Sequence, residues 1–315
     1  MNARDRIPFR IRPMLATLVA KPFDRPGWDY EEKYDGYRIL AYKEGAHVTL
    51  LSRNSKDRTR IFSSVAEAVA SLPARTLLLD GEVVAFDRQG VSRFQLLQDL
   101  KSEPKYAAFD CLYRDGRDLR AEPLTARRSA LEEILGKTGR ERSEVLASVT
   151  LAANGIKAFE VAKQKGYEGV VAKNMSAPYI EGRSTDWLKV KVHQEDEFIV
   201  VGYTAPAGSR RYFGALLLGA HDRGDQEKIH YVGKVGTGFT QESLAQLFQT
   251  FQPFVRTKPA VVDPPREKNV TYLAPRLVAQ IAYEELTDDR KLRQPVFLGL
   301  RDDKRPQDVT LPEAK

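Results

Sequence analysis

The hydrophobic pattern of this 315-residue chain changes character close to His193-Gln194-Glu195-Asp196. Before that point, short strand-like runs (37–42, 48–52, 77–80, 83–86, 169–172, 187–192) interleave with helix-like stretches (64–72, 125–135, 158–165). Thr125 reads as an N-cap, and Gly136 and Gly166 as helix stops. Strands and helices out of strict alternation argue for an α+β domain rather than a doubly wound sheet. Beyond that point the pattern is mostly β (198–204, 215–220, 229–235, 278–283) with one helix at 242–251. About five strands with one inserted helix outline a small barrel, an OB-fold. Two domains, 1–193 and 194–315, are therefore expected, in keeping with the chain's length. The Pro- and charge-rich stretch 258–269 reads as an exposed connection.

A net charge of +7 favours a polyanionic partner such as nucleic acid, although a basic enzyme without one fits equally well. Cys111 is the only cysteine, which excludes an intrachain disulfide and suits a reducing cytosol. His47, His193, His221 and His230 show no metal-ligand spacing, so no structural zinc is expected. No apolar run approaches the roughly 18 residues of a membrane span. The start of the chain, broken by Pro8 and Pro13, does not read as a signal peptide. Its arginines (Arg4, Arg6, Arg10, Arg12) could touch a phosphate backbone, but a solvated terminus is the plainer reading.

The chemistry-bearing segment of the first domain is Glu32-Lys33-Tyr34-Asp35-Gly36-Tyr37-Arg38. In an extended run, Glu31, Lys33 and Asp35 share one face. Gly36 lets the chain turn or approach a ligand closely, and Arg38 offers a fixed cation to a phosphate. A lysine amine attacks phosphorus only when neutral, so this spacing suits a nucleophile whose ionisation is suppressed. A surface strand ending in a charged turn would look the same, so the remaining parts of a nucleotidyl-transfer site decide the matter.

Candidates for those parts stand elsewhere in the chain. In Leu188-Lys189-Val190-Lys191-Val192, alternation puts Lys189 and Lys191 on one face, about 7 Å apart, where they could hold an α-phosphate. A solvated edge strand guarded by lysines is the alternative. Glu168, before Gly169, and Glu82, after Gly81, lie at strand ends and suit a Mg²⁺ or a ribose hydroxyl. Phe109, in a short apolar strand, is either core or a ring for a purine. Arg53 closes the strand 48–52 and could reach a phosphate or ribose. Arg301-Asp302-Asp303-Lys304-Arg305 is either a mixed-charge tail or a second-domain contribution. Gly233-Lys234-Val235-Gly236-Thr237-Gly238 lacks the features of a phosphate loop and reads as a turn entering the helix.

In this order the segments resemble the nucleotidyltransferase superfamily of ATP-dependent DNA ligases, RNA ligases and capping enzymes. Lys33-Tyr34-Asp35-Gly36-Tyr37-Arg38 resembles its nucleophile motif. Ser52-Arg53-Asn54, Leu79-Asp80-Gly81-Glu82, Phe109-Asp110, Glu168-Gly169-Val170-Val171 and Trp187-Leu188-Lys189-Val190-Lys191 resemble the motifs that follow, and Arg301-Asp302-Asp303-Lys304 the one on its OB domain. Pro13-Met14-Leu15-Ala16, Gly208-Ser209-Arg210 and Pro295-Val296-Phe297-Leu298-Gly299-Leu300-Arg301 are similar to the ligase module of bacterial end-joining ligases that work with Ku. The chain opens almost at that module, so polymerase and phosphoesterase domains are expected to be separate.

The resemblance implies a nucleotidyltransferase (adenylation) domain followed by an OB-fold β-barrel, acting on ATP with Mg²⁺ or Mn²⁺. Lys33 would be the nucleophile, aided by Asp35, Lys189 and Lys191. Glu31 would meet the adenine through its backbone and Phe109 would stack on it. Arg38, Arg53 and Glu82 would hold ribose and phosphate, Glu168 and Glu82 the metal, and Arg301, Asp303 and Lys304 the pyrophosphate. Residues 193–196 would be the hinge for domain closure. The implied partners are nicked or broken duplex DNA, Ku and a separate repair polymerase. The implied setting is a cytoplasmic, nucleoid-associated monomer. An RNA ligase or capping guanylyltransferase would share the first-domain motifs, and an idle nucleic-acid-binding OB protein would not need Lys33.

Overall fold

The computed structural model describes residues 7–98, 102–136, 144–192, 194–206, 210–222, 225–267 and 269–312. Arg4, Arg6, His193, Gly208, Ser209 and Lys268, which carried expectations above, lie outside the described residues. The chain divides into two compact units, Met1–Val192 and His193–Lys315.

The first unit contains β1 (Met14–Leu18), β2 (Trp28–Lys33), β3 (Tyr37–Glu44), β4 (His47–Ser52), α1 (Ser63–Ala70), β5 (Thr76–Val84), α2 (Phe94–Gln98) and β6 (Lys105–Arg114). It continues with β7 (Arg117–Asp118), α3 (Leu124–Leu135), β8 (Val145–Ala147), α4 (Gly155–Lys165), β9 (Gly169–Asn174) and β10 (Gly182–Lys191). A four-stranded sheet runs β1-β10-β9-β2, and a six-stranded sheet runs β4-β3-β5-β6-β7 with β8 beside β6. The runs Ile39–Tyr42 and Leu77–Leu79 are continuously apolar because their sheet is covered on both faces. On one face Ile39, Leu77 and Leu79 meet Val65 and Val69 of α1 and Leu131 and Ile134 of α3. On the other, Leu40, Tyr42, Leu51, Leu78 and Leu112 meet Met14, Tyr179 and Trp187, which joins the two sheets. The far face of the four-stranded sheet (Tyr30, Val170, Ala172, Leu188) is covered by Ala158 and Ala162 of α4.

Several boundaries differ from the sequence reading for local reasons. The expected strands 77–80 and 83–86 merge into one strand, β5, because Gly81 stays paired to Ile39 of β3 on one side and to Ala108 of β6 on the other, the bulge there leaving Phe109 of β6 as the extra residue. Helix α3 starts at Leu124 after Pro123, so Thr125 lies in its first turn rather than capping it. Helix α4 starts three residues early because Asn154 Oδ1 accepts the N–H groups of Ile156 and Lys157. It ends where expected, with Gly166 left-handed at φ 70°.

The second unit contains β11 (Gln194–Thr204), β12 (Leu216–Asp222), β13 (Asp225–Val235), α5 (Gln241–Phe251), β14 (Val255–Arg256), β15 (Val270–Tyr283) and β16 (Val296–Leu300). Its sheet runs β13-β12-β11-β15-β14, with β16 also on β15. A parallel bridge Thr237↔Val296 joins the chain just past β13 to the start of β16. There Phe297 N–H donates to Thr237 O at 3.0 Å, and Phe239 stacks on Phe297 with centroids 4.7 Å apart. Five strands curled until third and last meet in parallel have the connectivity of an OB-fold. Of the glycine run 233–238, residues 233–235 are still paired in β13 and only 236–238 form the expected turn, after which Thr240 caps α5 through a reciprocal bond with Ser243. The stretch expected as a hinge is strand from Gln194 onward, paired to β15. Tyr283 Oη donates to Asp196 Oδ2 at 2.6 Å, which ties that polar stretch into the sheet. Among the described residues no helix is long and apolar enough to cross a membrane.

Candidate active site

Strand register assembles the candidate residues of the first unit. Lys33, the last residue of β2, lies opposite Gly169 of β9, which lies opposite Lys191 of β10. The next row on the same face is Glu31, Val171 and Lys189, and the third is Asp29, Lys173 and Trp187. Three distant segments thus place Lys33, Lys189 and Lys191 on one face, Lys33 and Lys191 about 10 Å apart at the backbone. Lys189 and Lys191 are half-buried, whereas Leu188 and Val190 point the other way into the core. Gly169 leaves the middle of the first row without a side chain. A Cβ there would lie 2.1 Å from Val190 O, so close strand packing requires glycine. Lys33 Nζ contacts Glu168 Oε2 directly, and both side chains are largely buried.

The chain then leaves the four-stranded sheet. Asp35 does not continue the row of Glu31 and Lys33, because β2 ends at Lys33. Its N–H donates to Ser92 Oγ at 3.0 Å, and its Oδ2 accepts the N–H of Phe94, the first residue of α2, at 3.0 Å. Gly36 is seated against β5: a Cβ would lie 2.1 Å from Val83 O and 3.1 Å from Glu82 Cγ. The glycine therefore serves contact with a neighbouring strand.

Arg38 lies opposite Glu82 across β3 and β5. Ser52, the last residue of β4, pairs with Ile39, so Arg53 leaves the sheet next to Arg38. The Arg38 guanidinium is engaged by the fully buried Asp80, Nε to Oδ1 at 2.5 Å and Nη2 to Oδ2 at 2.7 Å, and Nη2 also donates to Met14 O at 3.2 Å. Tyr179 Oη donates to Asp80 Oδ2 at 2.5 Å and accepts the N–H of Met14 at 2.9 Å. Burial opposes the Arg38 charge, but Asp80 outweighs it and raises the pKa. Phe109, 8% exposed, has the Arg38 guanidinium 4.5 Å and the Lys173 Nζ 4.4 Å from its centroid, with Trp187 edge-on at 5.9 Å. It connects groups from both sheets, and its ring is already an aromatic partner of two cations.

Glu31 is 1% exposed, and its carboxylate lies in a charge cluster. Lys173 Nζ is 2.8 Å from Glu31 Oε1; Arg128 contacts the same oxygen and reaches Asp29 Oδ2 at 2.5 Å. Burial pushes the Glu31 pKa up, but Lys173 and Arg128 outweigh it and hold it below the usual range. Lys173 is pulled below an ordinary lysine by burial, which Glu31 only partly offsets, with Arg128 adding to the fall. These shifts favour opposite protonation states of one pair. The pair is ionised, since Glu31 faces two cations at contact distance.

Glu82 and Glu168 bring two carboxylates, and no group of three or more His, Cys, Asp or Glu among the described residues could hold a metal alone. In the second unit, Arg301 Nε and Nη2 meet Asp303 Oδ1 and Oδ2 at 2.8 and 2.9 Å, and Nη1 donates to Gln280 Oε1 at 2.6 Å. Lys304 Nζ lies 2.8 Å from Glu197 Oε1. Of the groups that order the first unit's site, Asp80 stood in a segment singled out from the sequence but received no role, and Lys173 lies just past one. Arg128 arrives on a helix read from the sequence without a role, and Tyr179 and Ser92 come from stretches with no local signal. Arg127, buried with Asp110 (Nε–Oδ1 2.7 Å), ties α3 to β6 in the same unsignalled way.

The family model described as "ATP dependent DNA ligase domain" matches residues 13–191, and "ATP dependent DNA ligase C terminal region" matches 209–304. The Pseudomonas aeruginosa multifunctional non-homologous end joining protein LigD is 40% identical over 98% of this chain and 37% of its own length. A Thermococcus fumicolans DNA ligase is 30% identical over 95% of this chain and 57% of its own. The chain thus spans well under two thirds of these relatives. A solved mycobacterial DNA ligase D complexed with ATP and MES aligns with TM-score 0.72 and 31% identity, over 96% of this chain and 98% of that one.

Proposed function

Because this chain belongs to the ATP-dependent DNA ligase family, we propose that it seals 5′-phosphate/3′-hydroxyl breaks in duplex DNA through Lys33. Lys33 Nζ attacks the α-phosphorus of ATP, forming an N–P bond as pyrophosphate leaves with the bonding electrons. A DNA 5′-phosphate oxygen takes the AMP from Lys33, a P–O bond forming to the adenylate as the N–P bond breaks and the amine leaves, which activates the DNA 5′-phosphorus. The adjacent 3′-hydroxyl then attacks that phosphorus, closes the strand and releases AMP. The observation that carries this reading is the row Lys33–Gly169–Lys191, with Glu168 in contact with the amine. The amine must lose a proton before it attacks. Lys189 and Lys191 face charge developing on the α-phosphate.

Arg38, Arg53 and Glu82 would address ribose and phosphate, and Phe109 and the Glu31 backbone the adenine. Asp35 holds the connector after the nucleophile. Arg301, Asp303 and Lys304 would orient pyrophosphate. Two carboxylates, Glu82 and Glu168, with phosphate oxygens and water completing the shell, suit Mg²⁺ or Mn²⁺ better than a dedicated cage would. Such a cation would neutralise charge on the triphosphate. Residues 1–193 act as the adenylation domain and 194–315 as the OB domain that grips DNA. The names of two relatives favour end joining. Ku and a separate repair polymerase as partners, and a nucleoid-associated monomer as the setting, rest on the sequence resemblance alone.

Incubation with α-labelled ATP or GTP and Mg²⁺ or Mn²⁺, followed by denaturing electrophoresis, tests the reading. Label should be retained from ATP and lost in Lys33→Ala. Retention from GTP but not ATP would indicate a capping enzyme, and label on Lys33→Ala would refute the nucleophile. Sealing of nicked DNA but not nicked RNA should separate DNA from RNA ligation.

A further inference from the structure

The nucleophile is carried on a short connector between two sheets. β2 ends at Lys33 and β3 begins at Tyr37, so residues 34–36 belong to neither strand. Gly36 rests on β5, and Asp35 is fastened to residues 92–94 by its own N–H and by its carboxylate. Those residues follow a tight hairpin. Phe86 bridges Ser92, Asp87 N–H donates to Val91 O at 2.8 Å, and Arg93 N–H donates to Ala85 O at 3.0 Å. Asp87 stiffens the tip: Oδ1 accepts the N–H groups of Gln89 and Val91 at 2.9 Å each, and Oδ2 lies 3.2 Å from Arg93 Nε. Val91 anchors the hairpin among Tyr30, Ala158, Tyr167 and Val170, the core beneath α4. Ser92 is 3% exposed, so its bond to the Asp35 N–H lies out of solvent.

We propose that the hairpin at 85–94 is a positioning clamp for Lys33, with Ser92 as its central positioning residue. The clamp rests on the reading of Lys33 as nucleophile. In-line attack needs nitrogen and phosphorus about 3–3.5 Å apart, and a misplacement of about 1 Å costs on the order of 100-fold in rate. Strand pairing holds the Lys33 backbone on its N-terminal side. On the C-terminal side that constraint comes from Asp35, held by Ser92 Oγ and Phe94 N–H. The clamp acts on the first chemical step, the only one in which Lys33 makes the attack.

Single-turnover adenylylation at saturating ATP is compared with sealing of a nick that already carries a 5′-adenylate. Ser92→Ala should slow adenylylation about 10- to 100-fold, with half-saturating ATP within about twofold of wild type. Sealing of the pre-adenylated nick should stay within about twofold, and Ser92→Thr, which keeps the hydroxyl, should recover most of the adenylylation rate. Parallel loss in both reactions, or unchanged adenylylation in Ser92→Ala, overturns the clamp. If Ser92→Ala does not fold, Asp87→Ala, at the half-exposed tip, should show a smaller slowing with the same step selectivity. Lys33→Ala run alongside separates the two readings. Label on it defeats the nucleophile, whereas an unlabelled Lys33→Ala beside a normal Ser92→Ala defeats only the clamp.

Discussion

Tyr179→Phe deletes a single oxygen on which two buried partners depend. Tyr179 Oη donates to Asp80 Oδ2 at 2.5 Å and accepts the N–H of Met14 at 2.9 Å, and both Asp80 and Met14 are fully buried. Phenylalanine preserves the edge contact with Trp187 at 5.9 Å, so the change removes hydrogen bonds rather than packing. Asp80 keeps both bonds from Arg38, which limits the loss on that side to about 1.5 kcal/mol for one bond to a charged group. The Met14 N–H is stranded in the core, which costs about 1–3 kcal/mol. Together these predict about 3 kcal/mol of lost stability. Burial pushes the Tyr179 phenol well above its usual pKa, so the hydroxyl remains a donor and the effect should not vary between neutral and mildly alkaline pH. Trp28 and Trp187 are the two tryptophans and both lie in the first unit, so fluorescence-monitored urea unfolding follows that unit. At an m-value of about 2–3 kcal/mol/M, the midpoint should fall by about 1 M. With Asp80→Asn, a double-mutant cycle should show coupling of about 1 kcal/mol or more. A midpoint shift below about 0.2 M, or strict additivity with Asp80→Asn, would refute the argument.

Two further outcomes concern the charge clusters. Burial raises the Glu31 pKa, but Lys173 and Arg128 bring it below the unfolded value. Its stabilisation is therefore complete above the unfolded carboxylate pKa of about 4.3 and is lost as pH falls through the lower folded value. The stability gap between wild type and Glu31→Gln should be widest near neutrality and close as pH falls below about 4, by calorimetry; a gap that widens in acid would contradict it. In the second unit, Arg301→Met removes the two bonds that the guanidinium gives Asp303, 3% exposed, and the one it gives Gln280 Oε1. A broken buried pair of this kind costs about 3–5 kcal/mol, so the calorimetric transition of that unit should fall by several degrees, and a change of less than one degree would count against it.

Much of the layout was legible from local pattern. Alternation in Leu188–Val192 put Lys189 and Lys191 on one face, and the change near His193 separated the units, because strand periodicity and turn residues act within a few positions. The row Lys33–Gly169–Lys191 was not readable that way, since register between strands far apart in sequence is set by packing. Gly36 was read as a turn or ligand position and Gly169 as a strand end, whereas each marks a place where another strand's carbonyl passes within reach of a Cβ. Arg38 suggested a phosphate ligand because a lone guanidinium advertises charge, and Asp80, which engages it, and Tyr179, which bonds Asp80, come 42 and 141 residues further on. Buried pairs such as Arg127–Asp110 leave no periodic trace at all.

The bridge between Thr237 and Val296 gives the second unit the mechanics of a split ring. Strands β11 and β15 are joined by a long ladder, from Gln194↔Tyr283 to Thr204↔Val270. At the slit, the described residues show one β-bridge, reinforced by the Leu292 N–H bond to Val232 O at 2.8 Å, by Thr237 Oγ1 donating to Pro295 O at 3.0 Å and by the Phe239–Phe297 stack. Gly238 fits there only because it lacks a Cβ, which would lie 2.2 Å from Phe297 O. The circumference is thus fastened by a clasp of two rings and a glycine, and thermal breathing of the cylinder should begin at that clasp.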